Sequence, residues 1–147
     1  MNLPKYPYYV GDDALEYSFY SKGPRGTIKK SVLYFKINDD PVIYNLGFGD
    51  EDLSTGEVSD ISISDNQDGY MVLATVANTI IDFSNRYGNH LIYIEGSTPS
   101  RTRLYQISIA KLLDEVSVDF DIFGVIGVEV YEFERNINDR AFLVRRK

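Results

Sequence analysis

With 147 residues, 44% of them hydrophobic, the chain has the length of one domain and can bury roughly 70% of its unfolded surface, so neither metal nor disulfide is needed to hold a core. A net charge of −7 excludes non-specific coating of nucleic acid or anionic membrane, and the lack of cysteine excludes a cysteine nucleophile and a Cys-ligated zinc site. No apolar run approaches the roughly 20 residues that span a bilayer, and Met1–Pro7 has neither an apolar core nor a small-residue cleavage site, so a cytoplasmic chain without membrane contact is expected.

The first dozen residues, rich in Pro and Tyr and closed by Gly11-Asp12-Asp13, read as an irregular arm. Leu15, Tyr17 and Phe19 then alternate with Glu16, Ser18 and Tyr20, the period of a strand. Lys22-Gly23-Pro24-Arg25-Gly26 supplies a turn, and Thr27–Ile37 resumes the alternation. In this second strand Leu33, Phe35 and Ile37 share one face, while Ile28, Val32 and Tyr34 share the other. Asn38-Asp39-Asp40-Pro41 turns the chain again, and Val42–Phe48 is the third strand. Short turns between successive strands imply an antiparallel meander.

Gly49–Asp68 is acidic and reads mostly as loop, with a short strand around Val58, Ile61 and Ile63. Tyr70–Tyr87 is the clearest helix, with Leu73, Val76, Ala77, Ile80, Ser84 and Tyr87 on one stripe. Asp68 suits its N-cap and Gly88 its left-handed C-terminal residue. Leu91–Glu95 reads as a buried strand. A second helix, capped by Thr98 and opened by Pro99, is predicted to run to about Val116, with Tyr105, Ile109, Leu112, Leu113 and Val116 inward. Val118–Phe123, Val125–Phe133 and Ala141–Val144 are further strands, with Asn136–Asp139 as a turn. The expected fold is one α+β domain over residues 1–147, two amphipathic helices packed on a largely antiparallel sheet.

One segment carries chemistry. Gly96, Ser97, Thr98, Ser100, Arg101 and Arg103 bring a glycine turn, hydroxyls and guanidinium groups to a helix start, where free N–H groups favour phosphate or carboxylate. Helical angles aim Arg101 towards the edge of the core face and Arg103 away from it, which makes Arg101 the better ligand contact. Ordinary capping with a salt bridge accounts for the same residues. The segment has neither the spacing of a P-loop nor that of a dinucleotide fingerprint.

Charge is segregated along the chain: residues 38–68 hold nine Asp/Glu and no Lys/Arg, residues 22–36 five Lys/Arg and no Asp/Glu. Solvated faces explain this, and so does a surface facing a partner. Asp50-Glu51-Asp52-Leu53-Ser54-Thr55-Gly56 opens like an EF-hand but fails it, because position 6 is Thr55 and position 12 is Ile61. His90, the sole histidine, follows Gly88-Asn89 as a loop residue would, and no nucleophile elbow is present. No metal, cofactor or catalytic residue is therefore expected.

Several strings occur together: Gly26-Thr27-Ile28-Lys29-Lys30, Tyr44-Asn45-Leu46-Gly47-Phe48-Gly49-Asp50, Gly96-Ser97-Thr98, Arg101-Thr102-Arg103-Leu104-Tyr105 and Ala141-Phe142-Leu143. With them the chain resembles, from about Tyr17 onward, an uncharacterised family of small bacterial proteins common in the Bacteroidota and catalogued as a domain of unknown function. The resemblance implies a bacterial, cytosolic, single-domain protein and no particular activity. The element order is also loosely similar to RNase H-type folds, but the first strand offers only Glu16 as an acid.

The leading expectation is a non-catalytic domain that binds an anionic small molecule or a nucleic acid end at the second helix. The alternative is an interaction or regulatory module that docks another protein or a second copy of itself, motivated by Ile107 on an otherwise polar helix face. A Mg²⁺-dependent phosphate-ester enzyme using the acidic segment is the third.

Overall fold

Alternating side chains put Tyr17, Phe19 and Ser21 on the buried side of strand β2 (Glu16–Gly23), after a two-residue edge strand β1 (Tyr9–Val10). The computed structural model describes residues 3–51, 58–59 and 69–147. A tight turn in which Gly26 takes φ +88° leads into β3 (Gly26–Asp39). Its partner β4 (Val42–Glu51) returns antiparallel after Asp40-Pro41, and β5 (Val58–Ser59) pairs with the end of β4. The expected meander is present. The expected Asp68 cap and most of the acidic segment lie outside the described residues.

Helix α1 (Gly69–Tyr87) carries the chain to β6 (Leu91–Ile94), which runs parallel to β4. Helix α2 (Pro99–Lys111) and a single turn α3 (Leu113–Val116) follow. Strands β7 (Phe120–Ile126), β8 (Glu129–Glu132) and β9 (Ala141–Arg146) complete one sheet in the order β1-β2-β3-β4-β6-β9-β7-β8. The C-terminal strand thus lies between β6 and β7, where it pairs antiparallel with both.

Helices α1, α2 and α3 pack on one face of this sheet. Tyr17, Phe19, Val32, Tyr34 and Leu46 of the meander meet Ala77, Ile80 and Phe83 of α1 there. The Phe83 ring stacks on Tyr34 with centroids 4.2 Å apart and takes the edge of Tyr44 at 4.8 Å. Ile109 of α2 joins Phe133 and Phe142 in a smaller cluster at the other end.

Four sequence expectations shift. The buried face of α1 is Ala74, Thr75, Ala77, Thr79, Ile80, Phe83 and Ser84, a rotation away from the apolar stripe. It tolerates threonines because each hydroxyl bonds back into its own helix, Thr75 to the Met71 carbonyl at 2.6 Å and Thr79 to that of Val76 at 2.7 Å. The second helix does not run unbroken to Val116. Leu112 leaves helical angles (φ −108°, ψ 16°), and this bend lets both Leu112 and Val116 reach the core. On α2 itself the buried residues are Thr102, Gln106 and Ile109, with Tyr105 half-buried. Finally, Gly124 does not end a strand. It lies inside β7, where a Cβ would stand 2.4 Å from Asp139 Oδ1 and 2.9 Å from Tyr131 Cε2, and the turn falls instead at Gly127, with φ +60°.

Candidate functional site

The glycine turn at the start of α2 is built for close packing. Gly96 has its Cα against the first helical turn, so that a Cβ there would lie 2.6 Å from the Thr102 nitrogen. Its N–H donates to Thr102 Oγ1 at 3.0 Å. Thr98 caps the helix as expected: its Oγ1 accepts the Arg101 N–H at 3.2 Å, and its carbonyl accepts the Thr102 N–H at 3.1 Å. Two hydroxyls and three N–H groups of this turn are therefore spent internally. Ser97, Thr98, Ser100 and Arg103 are exposed, Gly96 and Arg101 half-buried. The structure brings these six residues together, and it gives the capping role of Thr98 an observed geometry.

The segregated charges of the sequence meet across the meander. Antiparallel register sets Lys30 opposite Asp50, with Nζ 2.5 Å from Oδ1, and Lys29 Nζ lies 2.5 Å from Glu51 Oε2. The Glu51 carboxylate holds the Lys29 ammonium above its ordinary range. Asp50 is thus paired with a 5%-exposed lysine. His90 folds back on the helix it follows, its Nε2 2.8 Å from the Tyr87 carbonyl, which only a protonated nitrogen can satisfy.

A cleft of about 560 Å³ opens between the first turn of α1 and the C-terminal half of α2. Tyr6, Tyr70, Met71 and Ile107 form apolar walls, and Ser108 and Lys111 supply polar groups. The Lys111 ammonium rests 5.8 Å from the Tyr70 ring centroid and makes no salt bridge among the described residues. Tyr6 is held rigidly: its hydroxyl donates to the Lys22 carbonyl at 3.2 Å and accepts the Lys22 N–H at 3.1 Å, and its own N–H donates to Thr75 Oγ1 at 2.9 Å. Sequence reasoning flagged Ile107 as out of place but not the cleft, since Tyr6, Tyr70 and Lys111 meet only in three dimensions. Among the described residues, no helix is long and apolar enough to cross a membrane.

A second polar cluster lies beneath Gly124. Tyr131 donates its hydroxyl to Asp139 Oδ1, and burial and that bond push the phenol up to about 12. Asp139 is 7% exposed and its Oδ2 has no partner, so burial raises its carboxyl above the ordinary range.

A family model described as a family of unknown function (DUF6934) matches residues 2–147. No curated protein matches the chain, and no solved structure does.

Proposed function

The chain belongs to DUF6934, a family of unknown function, and we propose that it is a non-catalytic binding domain for a small ligand with an anionic group on an apolar body. The observation that carries this reading is the cleft itself: a volume suited to a small molecule, four large apolar walls, and Lys111 without an acidic partner among the described residues. The anion pairs with the Lys111 ammonium and accepts from the Ser108 hydroxyl; the body stacks on Tyr70 and packs against Met71 and Ile107. The partial positive charge of the first turn of α1 acts in the same sense. Binding rather than catalysis is favoured because the two obvious reactive groups are occupied, His90 by the Tyr87 carbonyl and Asp50 by Lys30.

The second reading keeps the anion at Ser97, Ser100 and Arg101, at the start of α2. It has fewer donors to offer, because Thr98 and Thr102 are engaged within the turn. One titration separates the two, using phenyl phosphate followed by amide chemical shifts. The cleft predicts shifts at Tyr70, Ile107 and Lys111 and at least several-fold weaker binding in Lys111→Ala. Shifts confined to Ser97–Arg101, lost in Arg101→Ala, favour the second reading; no binding in either place rejects both.

A further inference from the structure

A trough interrupts the face of the sheet opposite the helices, near the edge formed by β1. Register sets Tyr9 of β1 beside Ser18 of β2, and Ser18 beside Ser31 of β3. Further along the same two strands, Glu16 lies beside Leu33. These side chains share the open face, because the alternating neighbours Tyr17, Phe19, Val32 and Tyr34 belong to the helix-covered core. Two serines between larger residues leave a groove of about 330 Å³, walled by Tyr9, Val10 and Leu33 and rimmed by Glu16, Lys29 and Glu51. A water's share of the liquid being about 30 Å³, there is room for about ten non-hydrogen atoms.

The floor has hydrogen-bonding capacity to spare. Ser31 is 5% exposed, yet its hydroxyl bonds to no described residue, and neither does that of Ser18. The Ser31 hydroxyl thus has only the groove to bond into. On the rim, Lys29 Nζ lies 2.5 Å from Glu51 Oε2, so those two charges cancel. Glu16 is exposed and makes no salt bridge among the described residues. Its side chain folds over Gly11, where a Cβ would stand 3.1 Å from Glu16 Cβ and 3.6 Å from Oε2. The Gly11 N–H donates to the Glu16 carbonyl at 2.7 Å, which fixes the two residues together. One carboxylate at the groove is therefore surplus.

We propose that this groove binds a small primary amine in its ammonium form. An ammonium carries three donors and no acceptor. Glu16, Ser18 and Ser31 offer it a carboxylate and two hydroxyl oxygens. Glu16 and Ser18 are about 7 Å apart along the strand, a gap that one glutamate side chain spans. The charge-assisted bond to Glu16 supplies the strength, and the hydroxyls supply the direction. The alkyl body lies against Val10 and Leu33, with Tyr9 as the outer wall, held by the edge-on Tyr20 ring at 6.4 Å. Other ligand classes fit less well. An anion has to draw Lys29 away from Glu51 and sit beside Glu16. A calcium or magnesium ion calls for about six oxygen ligands, which one surplus carboxylate between apolar walls does not supply.

This inference is independent of the cleft, which opens on the helical side. The test is a titration of the full chain with isoamylamine up to about 20 mM at fixed ionic strength, a range that reads millimolar affinities, followed by amide chemical shifts. Saturable shifts are expected at Val10, Ser18 and Ser31. Glu16→Gln, at an exposed position, weakens binding at least about five-fold. Ser31→Ala removes only an unbonded hydroxyl, keeps the fold and weakens binding by about the same factor. Isoamyl alcohol and isovalerate, of the same shape but neutral or anionic, leave the three amides unmoved. Shifts that do not saturate, or that lie elsewhere, overturn the proposal. So does equal binding of the alcohol, or Ca²⁺ moving the same amides at lower concentration than the amine. An affinity that falls in Glu16→Gln but is unchanged in Ser31→Ala also overturns it, because it means attraction to a bare surface carboxylate.

Discussion

Tyr34 on β3 donates its hydroxyl to that of Thr79 on α1 at 2.9 Å, because Thr79 has already given its own proton to the Val76 carbonyl. The pair is buried, 4% and 0% exposed, and ties the meander to the helix at the centre of the core. Burial holds the Tyr34 phenol far above its ordinary range.

The direction of this bond makes the two partners unequal. Tyr34→Phe removes a donor and leaves Thr79 bonded to its own helix, which costs about 1 kcal/mol. Thr79→Val leaves the Tyr34 O–H buried without an acceptor and costs more, up to about 3 kcal/mol. Urea midpoints of the two variants measure the difference; equal losses would mean that the bond runs the other way.

Gly88 ends α1 with φ +105°, and its N–H closes the helix on the Ser84 carbonyl at 2.8 Å. A side chain there is strained by the backbone and also meets His90 Nε2 at 3.1 Å. Gly88→Val is expected to lower stability by about 1 kcal/mol or more. Adding His90→Ala relieves only the contact, so thermal denaturation of the double variant is expected to recover part of the loss and not all of it.

Gly124→Ala drives a methyl into Asp139 and Tyr131, which calls for about 1–3 kcal/mol of destabilisation from overpacking. Asp139→Ala removes the atom that would be struck. The double variant should therefore lose less than the sum of the single losses, a coupling that a denaturant cycle reads directly.

Asp139 also sets a pH dependence. Its folded carboxyl titrates above the ordinary value, so between the two values the folded state binds more protons than the unfolded one. Its contribution is fully present below the unfolded value and is lost as pH rises through the folded one. Asp139→Asn cannot ionise and is expected to show a shallower fall in melting temperature from about pH 4 to about pH 7. An unchanged slope would place the group in solvent.

The sequence by itself determined the elements whose signals are local. Alternation marked the meander, Thr98-Pro99 marked the start of α2, and Gly88 marked the end of α1, because strand period, capping and positive φ depend on neighbours in the chain. Tertiary structure decided the rest. Gly124 reads as a breaker and is a place of close approach; Thr75 and Thr79 read as polar and are core; Leu112 reads as helix and is a bend that reaches the interior. The charge blocks read as solvated faces or as a surface for a partner, yet the pairing of β3 with β4 joins Lys29 and Lys30 to Glu51 and Asp50 within the chain. The anion-binding segment was legible in its residues, but how many of its donors are spent was not. The cleft with Lys111 and the groove between Tyr9 and Leu33 are assembled from residues far apart in the chain, and no local periodicity records which strands become neighbours. Pairing and packing energies between distant segments decide that, and they exist only once the sheet has formed.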